Sequence, residues 1–161
     1  MTNADNARQF SLDLSNLVKD ATADAVVKAT QKLALDALRG VVLKSPVGFP
    51  PSWKRPAPKG YVGGQFRGAW QLSVGVENPG LAGKSRPGKA GSANAANAAA
   101  GEARGELTKL QPYQSVYIVN GLPYAERLEN GWSKQAPLGM VALTVQELQN
   151  VILSYENGEV K

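Results

Sequence analysis

The longest periodic segment of the chain lies near its start. Between residues 9 and 39, apolar residues recur in steps of three and four, and charged residues mostly fall on other faces. This spacing predicts one amphipathic helix over residues 9–39. Its apolar stripe consists of Phe10, Leu14, Leu17, Ala21, Ala25, Ala29 and Leu33. Gly40 follows and is expected to end the helix.

A strand pattern covers residues 65–76, where apolar residues alternate with polar or small ones. The alternating apolar positions are Trp70, Leu72, Val74 and Val76. This period of two predicts a strand with one buried face.

Residues 114–119 (QSVYIV) are predicted as a second strand, with apolar side chains on both faces. An isolated pair of strands is marginally stable in water. A third strand could come from residues 41–44 or 59–63, or a neighbouring subunit could supply it.

Two further helices are predicted in the second half of the chain. Residues 92–109 are rich in alanine, the best helix former, and Ser92 can cap the first turn. Over residues 140–155, apolar residues again recur in steps of four and three, which predicts an amphipathic helix. These apolar residues are Val141, Val145, Leu148, Ile152 and Tyr155.

Proline and glycine mark the loops between these elements. Residues 45–64 contain five prolines and four glycines, which predicts an extended loop. Its aromatic residues, which either fold back onto the core or contact a neighbouring subunit, are Phe49, Trp53 and Tyr61. Residues 78–91 combine turn formers with cations and are predicted as a flexible basic loop. Residues 120–139 are predicted to form the turn before the last helix.

Together these elements predict a single α+β domain over residues 1–161. The long N-terminal helix and the C-terminal helix are expected to pack on a small, mainly antiparallel β-sheet, with long Pro/Gly-rich loops between the elements. No apolar run approaches the roughly 20 residues that span a bilayer, so no membrane partner is expected. The N-terminus lacks the pattern of a signal peptide, which fits synthesis in the cytoplasm.

The composition narrows the chemistry. The chain contains no cysteine and no histidine, which excludes disulfides and zinc sites built on those ligands and removes the commonest general base. Glu126 and Glu129 are the only closely spaced carboxylates in an aromatic setting, and a helical turn started by Pro123 would place them on one side. Alternatively, Glu126 is solvated and Glu129 pairs with a cation or a backbone amide. We predict no catalytic residue, cofactor or metal, and therefore no enzyme.

The net charge of +5 is unevenly distributed. Residues 41–110 carry ten Lys/Arg and three Asp/Glu, whereas the segments on either side are neutral or acidic overall. A basic segment of this kind suits nucleic acid or an acidic protein surface. In the basic loop, the candidate DNA-facing residues are Lys84, Arg86 and Lys89. No aromatic platform for base stacking accompanies them, so any DNA contact is expected to be independent of sequence.

Three blocks of the sequence occur in an order that resembles a known family. They are SPVG at 45–48, GGQFRGAWQ at 63–71 and VYIVNGLPYAERLENGWSKQAPLGM at 116–140. Followed by an amphipathic helix, they resemble the tail-completion (neck, or head–tail joining) proteins of long-tailed bacteriophages. The matching residues of the third block are Asn120, Pro123, Tyr124, Ala125, Glu129, Gly131, Ser133, Gln135, Ala136, Pro137, Gly139 and Met140.

The first two blocks depart from the family pattern. The Asp-Thr that usually continues the first block is missing, and residues 49–64 separate that block from its continuation. The matching residues of the first two blocks are Ser45, Pro46, Val47, Gly48, Phe66, Arg67 and Trp70.

The resemblance implies a structural virion protein that forms a ring between the head connector and the tail. Its implied partners are further copies of itself, the head–tail connector and the tail terminator or tube proteins, with non-specific contact to passing DNA. Candidate subunit or partner contacts are Trp53, Arg67, Trp70, Tyr124, Glu126, Glu129, Trp132 and Lys134. The alternative is a non-sequence-specific nucleic-acid-binding domain that uses the basic middle segment.

Within the turn at 120–139, the residue types suggest how the backbone is held. Tyr124, Leu128 and Trp132 are expected to anchor the turn to the sheet and helices. Asn120 and Gly131 are expected to supply its unusual backbone.

Overall fold

The computed structural model describes residues 3–48, 50–52, 54–57, 59, 63–77 and 92–156. Helices and a small antiparallel sheet make it an α+β protein, as the sequence predicts. The helices are α1 (Asn3–Lys44), α2 (Gln65–Gly68), α3 (Ser92–Leu107), α4 (Ala125–Arg127) and α5 (Val141–Glu156), and the strands are β1 (Gln71–Val74) and β2 (Val116–Val119). A short 3-10 turn covers Pro50–Ser52, and a wide helical turn, Leu128–Trp132, continues α4.

Helix α1 is longer than predicted at both ends. It contains 42 residues, about 63 Å at about 1.5 Å per residue. The prediction that Gly40 ends this helix is wrong, because the helix continues to Lys44. A Cβ atom at residue 40 would lie 2.6 Å from Thr144 Cγ2, so Gly40 allows α5 to approach the backbone of α1. Residues 41–44 are therefore helical and not a third strand.

The buried face of α1 also differs from the predicted stripe. Ala25 and Ala29 are exposed, whereas the residues buried on α1 are Ala34, Leu38, Val41 and Val42. Both sets have helical spacing, but Leu38, Val41 and Val42 are larger than Ala25 and Ala29, so their burial removes more apolar area from water. The side chains of Phe10, Leu14, Leu17 and Ala21 lie outside the described residues.

The sheet consists of two strands in the described part of the chain. They run antiparallel, with Leu72 opposite Ile118 and Val74 opposite Val116. The predicted strand over 65–76 is shorter, because residues 65–68 form the helical turn α2, which follows Gly64 at φ 95°. Gly75, at φ 77°, follows the last strand residue, and Val76 beyond it is exposed instead of buried.

The remaining elements begin and end close to the predicted positions. Strand β2 begins at Val116, not at residue 114, and α3 ends at Leu107, not at residue 109. Helix α5 covers Val141–Glu156 instead of 140–155.

Among the described residues, no helix combines the length and the apolar character that crossing a membrane requires.

The core lies where α1, α3 and the sheet meet. Its buried apolar residues are Ala34, Leu38, Val41, Val42, Phe66, Trp70, Leu72, Ala96, Ala103, Leu107, Leu110, Ala136 and Met140. Helix α3 packs against α1 and β1, and α5 packs mainly against α1. The Gln31 side-chain amide donates a 3.0 Å hydrogen bond to the Leu107 carbonyl, which ties the end of α3 to α1.

We expect Gly40→Ala to destabilise the protein, although alanine favours a helix by about 1 kcal/mol over glycine. The added methyl group meets the buried, β-branched Thr144. Thr144→Ser removes the closest methyl group and should recover part of the loss. The matched control is Gly101→Ala in α3, where a Cβ meets nothing within 4 Å and stability should rise. Urea denaturation compares the wild type, Gly40→Ala, the double variant Gly40→Ala/Thr144→Ser and Gly101→Ala. A Gly40→Ala protein that is more stable than the wild type would contradict the close approach of the two helices.

Candidate functional site

The first two sequence blocks meet at Ser45, the residue that follows α1. Its buried hydroxyl donates a 2.7 Å hydrogen bond to the Val41 carbonyl and accepts one of 2.7 Å from Trp70 Nε1. Its carbonyl accepts two hydrogen bonds from Arg67, 3.2 Å from Nε and 2.7 Å from Nη2. We call these four residues the Ser45 junction. It joins the end of α1 to the α2–β1 segment.

Arg67 remains a cation in this junction. Burial lowers the pKa of its guanidinium from the usual value. An arginine nevertheless stays protonated in proteins, so both bonds to the carbonyl are charge-assisted.

Two amide side chains join the third sequence block to the first two. Gln135 Oε1 accepts from the Val47 amide at 3.1 Å, and its Nε2 donates to the Val47 carbonyl at 2.9 Å. Asn120 Nδ2 donates to the Phe66 carbonyl at 2.9 Å, and its Oδ1 accepts from the Leu122 amide at 3.4 Å. Gln135 therefore binds backbone that lies 88 positions away in the sequence, and Asn120 binds backbone that lies 54 positions away.

Glu129 caps helix α5 from outside that helix. Its Oε2 accepts hydrogen bonds from the amides of Met140 at 2.8 Å and Val141 at 3.0 Å, and its Oε1 accepts from Ala142 at 2.9 Å. The first amides of a helix lack intrahelical acceptors and carry partial positive charge, so a carboxylate at this position is stabilising. The cap sets the start of α5 relative to the turn.

Two glycines let the turn close on this cap. A Cβ at Gly131 would lie 2.6 Å from the Pro137 carbonyl oxygen, and one at Gly139 would overlap the Glu129 carboxylate. Both residues have positive φ, 79° and 80°, which favours glycine. Gly131 thus supplies unusual backbone, as predicted.

The cap decides the ionisation of Glu129. Burial alone raises the pKa of this carboxyl, but the backbone hydrogen bonds from Val141, Ala142 and Met140 lower it, and the net pKa lies below the usual value. An ionised carboxylate that already accepts three amides is poorly suited to proton transfer. Of the two interpretations of this carboxylate pair, the structure supports the one in which Glu129 binds backbone amides and Glu126 is exposed.

The aromatic residues of the turn have different environments. The Tyr124 ring lies 5.9 Å from the Phe66 ring, and half-buried Leu128 packs against the core. Trp132, in contrast, is 72% exposed, so the prediction that it anchors the turn to the sheet and helices is wrong. Its ring stacks instead with Arg127, whose guanidinium carbon lies 4.9 Å from the ring centroid.

A shallow surface groove of about 400 Å³ lies beside this exposed ring. Its lining residues are Pro123, Glu126, Arg127, Asn130 and Trp132. Lys134 is also exposed in the same turn. Tyr124, Glu126, Trp132 and Lys134 are therefore the predicted contact residues whose side chains are available at the surface.

The other predicted contact residues divide into two groups. Trp70 is buried, and Arg67 and Glu129 are bonded within the subunit, so their side chains hold the fold together. Trp53 and the basic-loop residues lie outside the described part of the chain. Those basic-loop residues are Lys84, Arg86 and Lys89.

Sequence reasoning missed the role of Ser45 and the exposure of Leu138. A serine directly after a long helix and before Pro46 is a signal for a hydroxyl that bonds back to the last helical turn. No local signal identifies Leu138, because its exposure depends on how the turn closes.

Within the residues that the structure describes, no group of three or more Asp/Glu side chains could hold a metal ion.

Comparison of the chain with protein-family models, with curated proteins and with solved structures gives no match.

Ser45→Ala should lower the free energy of unfolding by about 1–3 kcal/mol, because it leaves the buried Trp70 Nε1–H without an acceptor. Replacing Trp70 by Phe removes that donor. In the Ser45→Ala background, this second change should therefore cost less than it costs in the wild-type protein. A double-mutant cycle by urea denaturation measures the difference, and strictly additive costs would contradict the junction.

Glu129→Gln should lower the free energy of unfolding at neutral pH by about 1 kcal/mol, because the cap loses its charge. The folded-state pKa of Glu129 is lowered, so its contribution is present above the unfolded pKa of about 4.3 and disappears as the pH falls through the folded value. The two proteins should therefore converge in acid. Urea denaturation from neutral pH to pH values below about 4 tests this. The control is Glu126→Gln in the same turn, which should unfold like wild type; equal losses from both substitutions would contradict the cap.

Proposed function

We propose that this chain is a structural virion protein of a tailed phage, a tail-completion or neck subunit that forms a ring joining the tail to the head connector. The observation that carries the proposal is the hydrogen-bond network among residues that match the family pattern. Ser45, Arg67 and Trp70 form one part of it, and Asn120, Glu129 and Gln135 form the other. These residues come from all three sequence blocks.

The network gives a physical reason for the motif. A chance match in unrelated parts of a chain would leave its polar residues scattered over the surface. Here Asn120 and Gln135 each use a side-chain amide to bind backbone of another block, and Glu129 caps the helix that follows the third block. The motif residues thus act together as determinants of one fold, which supports membership of the family they resemble.

The exposed part of the third block supports a role in assembly. Trp132 presents its indole to solvent with Arg127 stacked on it, and Glu126 and Lys134 are exposed nearby. Tryptophan and arginine dominate the binding energy of many protein interfaces.

The use of Glu129 as a cap also argues against an acid/base enzyme.

In this proposal the protein is made in the host bacterial cytoplasm and resides in the neck of the virion. Its partners are copies of itself, the head–tail connector and the tail terminator or tube proteins. The basic loop with Lys84, Arg86 and Lys89 would contact passing DNA through charge alone.

A non-sequence-specific nucleic-acid-binding domain is the second candidate function. The observation in its favour is the concentration of ten Lys/Arg residues within 41–110. This alternative needs no ring and no connector, so particle assembly separates the two candidates.

The test is a nonsense mutation of this gene in the phage that encodes it. Filled heads and complete tails should accumulate unjoined, as seen by negative-stain electron microscopy, and purified wild-type protein should restore joining in an extract. The Trp132→Ala protein should fold but restore joining poorly. The control Asn97→Ala, at an exposed position of α3, should restore it fully. Normal joined particles, or heads that never fill, would refute the neck assignment.

A further inference from the structure

Helix α5 presents a stripe of apolar side chains to solvent. Val141, Val145 and Ile152 recur at steps of four and seven, which places them on one side of the helix. Val145 is 46% exposed. Two residues of the turn before the helix, Trp132 and Leu138, are also apolar and exposed; Leu138 is 69% exposed. We call these five residues the α5 face.

The last part of α5 lies beyond the end of α1. Gly40 of α1 meets Thr144, and Lys44 forms a 2.6 Å ion pair with Glu147, so the two helices run in the same general direction. Helix α1 ends at Lys44, but α5 continues beyond Glu147 for about 13 Å. Residues 151–153 in this extension are apolar and exposed. A helix that is apolar on several sides is normally buried.

The exposed area is large for a free subunit. The residues of the α5 face are between 40% and 72% exposed, whereas monomeric proteins rarely leave contiguous apolar patches larger than a few hundred Å². One partner contributes about 800 Å² to a stable protein–protein interface of standard size. The α5 face therefore supplies a substantial part of one such surface.

A second exposed apolar patch lies at the end of the sheet. It consists of Val76, 73% exposed, and Tyr113, 81% exposed. The Gly75 amide donates a 2.8 Å hydrogen bond to the Ser115 carbonyl, which brings the two segments together just beyond the paired strands. We call Val76 and Tyr113 the sheet end.

The two patches belong to elements that pack on different sides of α1. Ala34 and Leu38 of α1 are buried in the core with α3 and the sheet, whereas Gly40 and Lys44 meet α5. At 3.6 residues per turn, these two pairs of positions are about 120° apart around the axis of α1. The α5 face and the sheet end can therefore contact different neighbours.

We infer that the α5 face of one copy of this chain packs against the sheet end of a second copy, head to tail. A ring requires two different, complementary surfaces on each subunit. That such contacts close into a ring rests on the proposed function. Of the charges near the two surfaces, the cations Arg127 and Lys134 in the turn of Trp132 complement Glu77, which follows Val76, whereas Glu126 beside Arg127 does not. The occupant of the α5 face is thus another subunit.

Sedimentation equilibrium from micromolar to millimolar protein tests the contact. The mass of the wild-type protein should rise with concentration, and Val145→Glu and Val76→Glu should each lower the association constant by about tenfold or more. Both positions are exposed, so thermal unfolding should remain near that of wild type. The matched control is Gln146→Glu, which adds the same charge to another side of α5 and should associate like wild type.

Mixing the two defective variants tests the head-to-tail arrangement. A Val145→Glu chain keeps its sheet end, and a Val76→Glu chain keeps its α5 face. An equimolar mixture should therefore form a heterodimer and nothing larger.

Other results would overturn the inference. A wild-type protein that stays monomeric throughout excludes the contact, and the joining assay still decides the neck role independently. A Val76→Glu protein that associates like wild type would show that the sheet end is not the surface opposite α5. A Val145→Glu protein that does so would exclude the α5 face itself.

Discussion

The buried hydroxyl of Ser45 is the interaction on which the arrangement of the subunit depends. Burying the indole N–H of Trp70 without an acceptor would cost much of what burial of its ring contributes. The Ser45 hydroxyl accepts that hydrogen bond and donates to Val41, while the Ser45 carbonyl receives Arg67. The end of α1 and the start of the sheet can therefore pack without an unsatisfied polar group. Among the described residues, no buried side-chain nitrogen or oxygen lacks a partner.

The Glu129 cap is the second constraint, and it determines where α5 begins. Three backbone amides converge on one carboxylate, and the glycines at 131 and 139 allow the chain to close around it. Because α5 starts from this fixed point and meets α1 at Gly40, only one side of the helix is covered. The apolar residues on its other side remain exposed as a consequence of this geometry.

Most polar residues of the family-like motif act inside the subunit. Asn120, Glu129 and Gln135 bind backbone, and the residues left for contact with partners are exposed ones such as Trp132 and Lys134. This division suits a protein whose function is to present a surface in an assembly. A rigid, fully hydrogen-bonded turn lowers the entropy lost when its exposed aromatic ring is ordered against a neighbour.

The sequence by itself determined the α+β class, the existence of α1, α3 and α5, and the two strands, because hydrophobic periodicity and the helix propensity of alanine are local properties of the chain. It did not determine which face of α1 is buried, since two sets of positions have helical spacing. Tertiary structure alone decided that Gly40 is a contact with α5, that residues 65–68 are helical and that Trp132 is exposed. Those outcomes depend on groups distant in the chain, such as Thr144 beside Gly40 and Met140 bonded to Glu129, whose proximity no local pattern records.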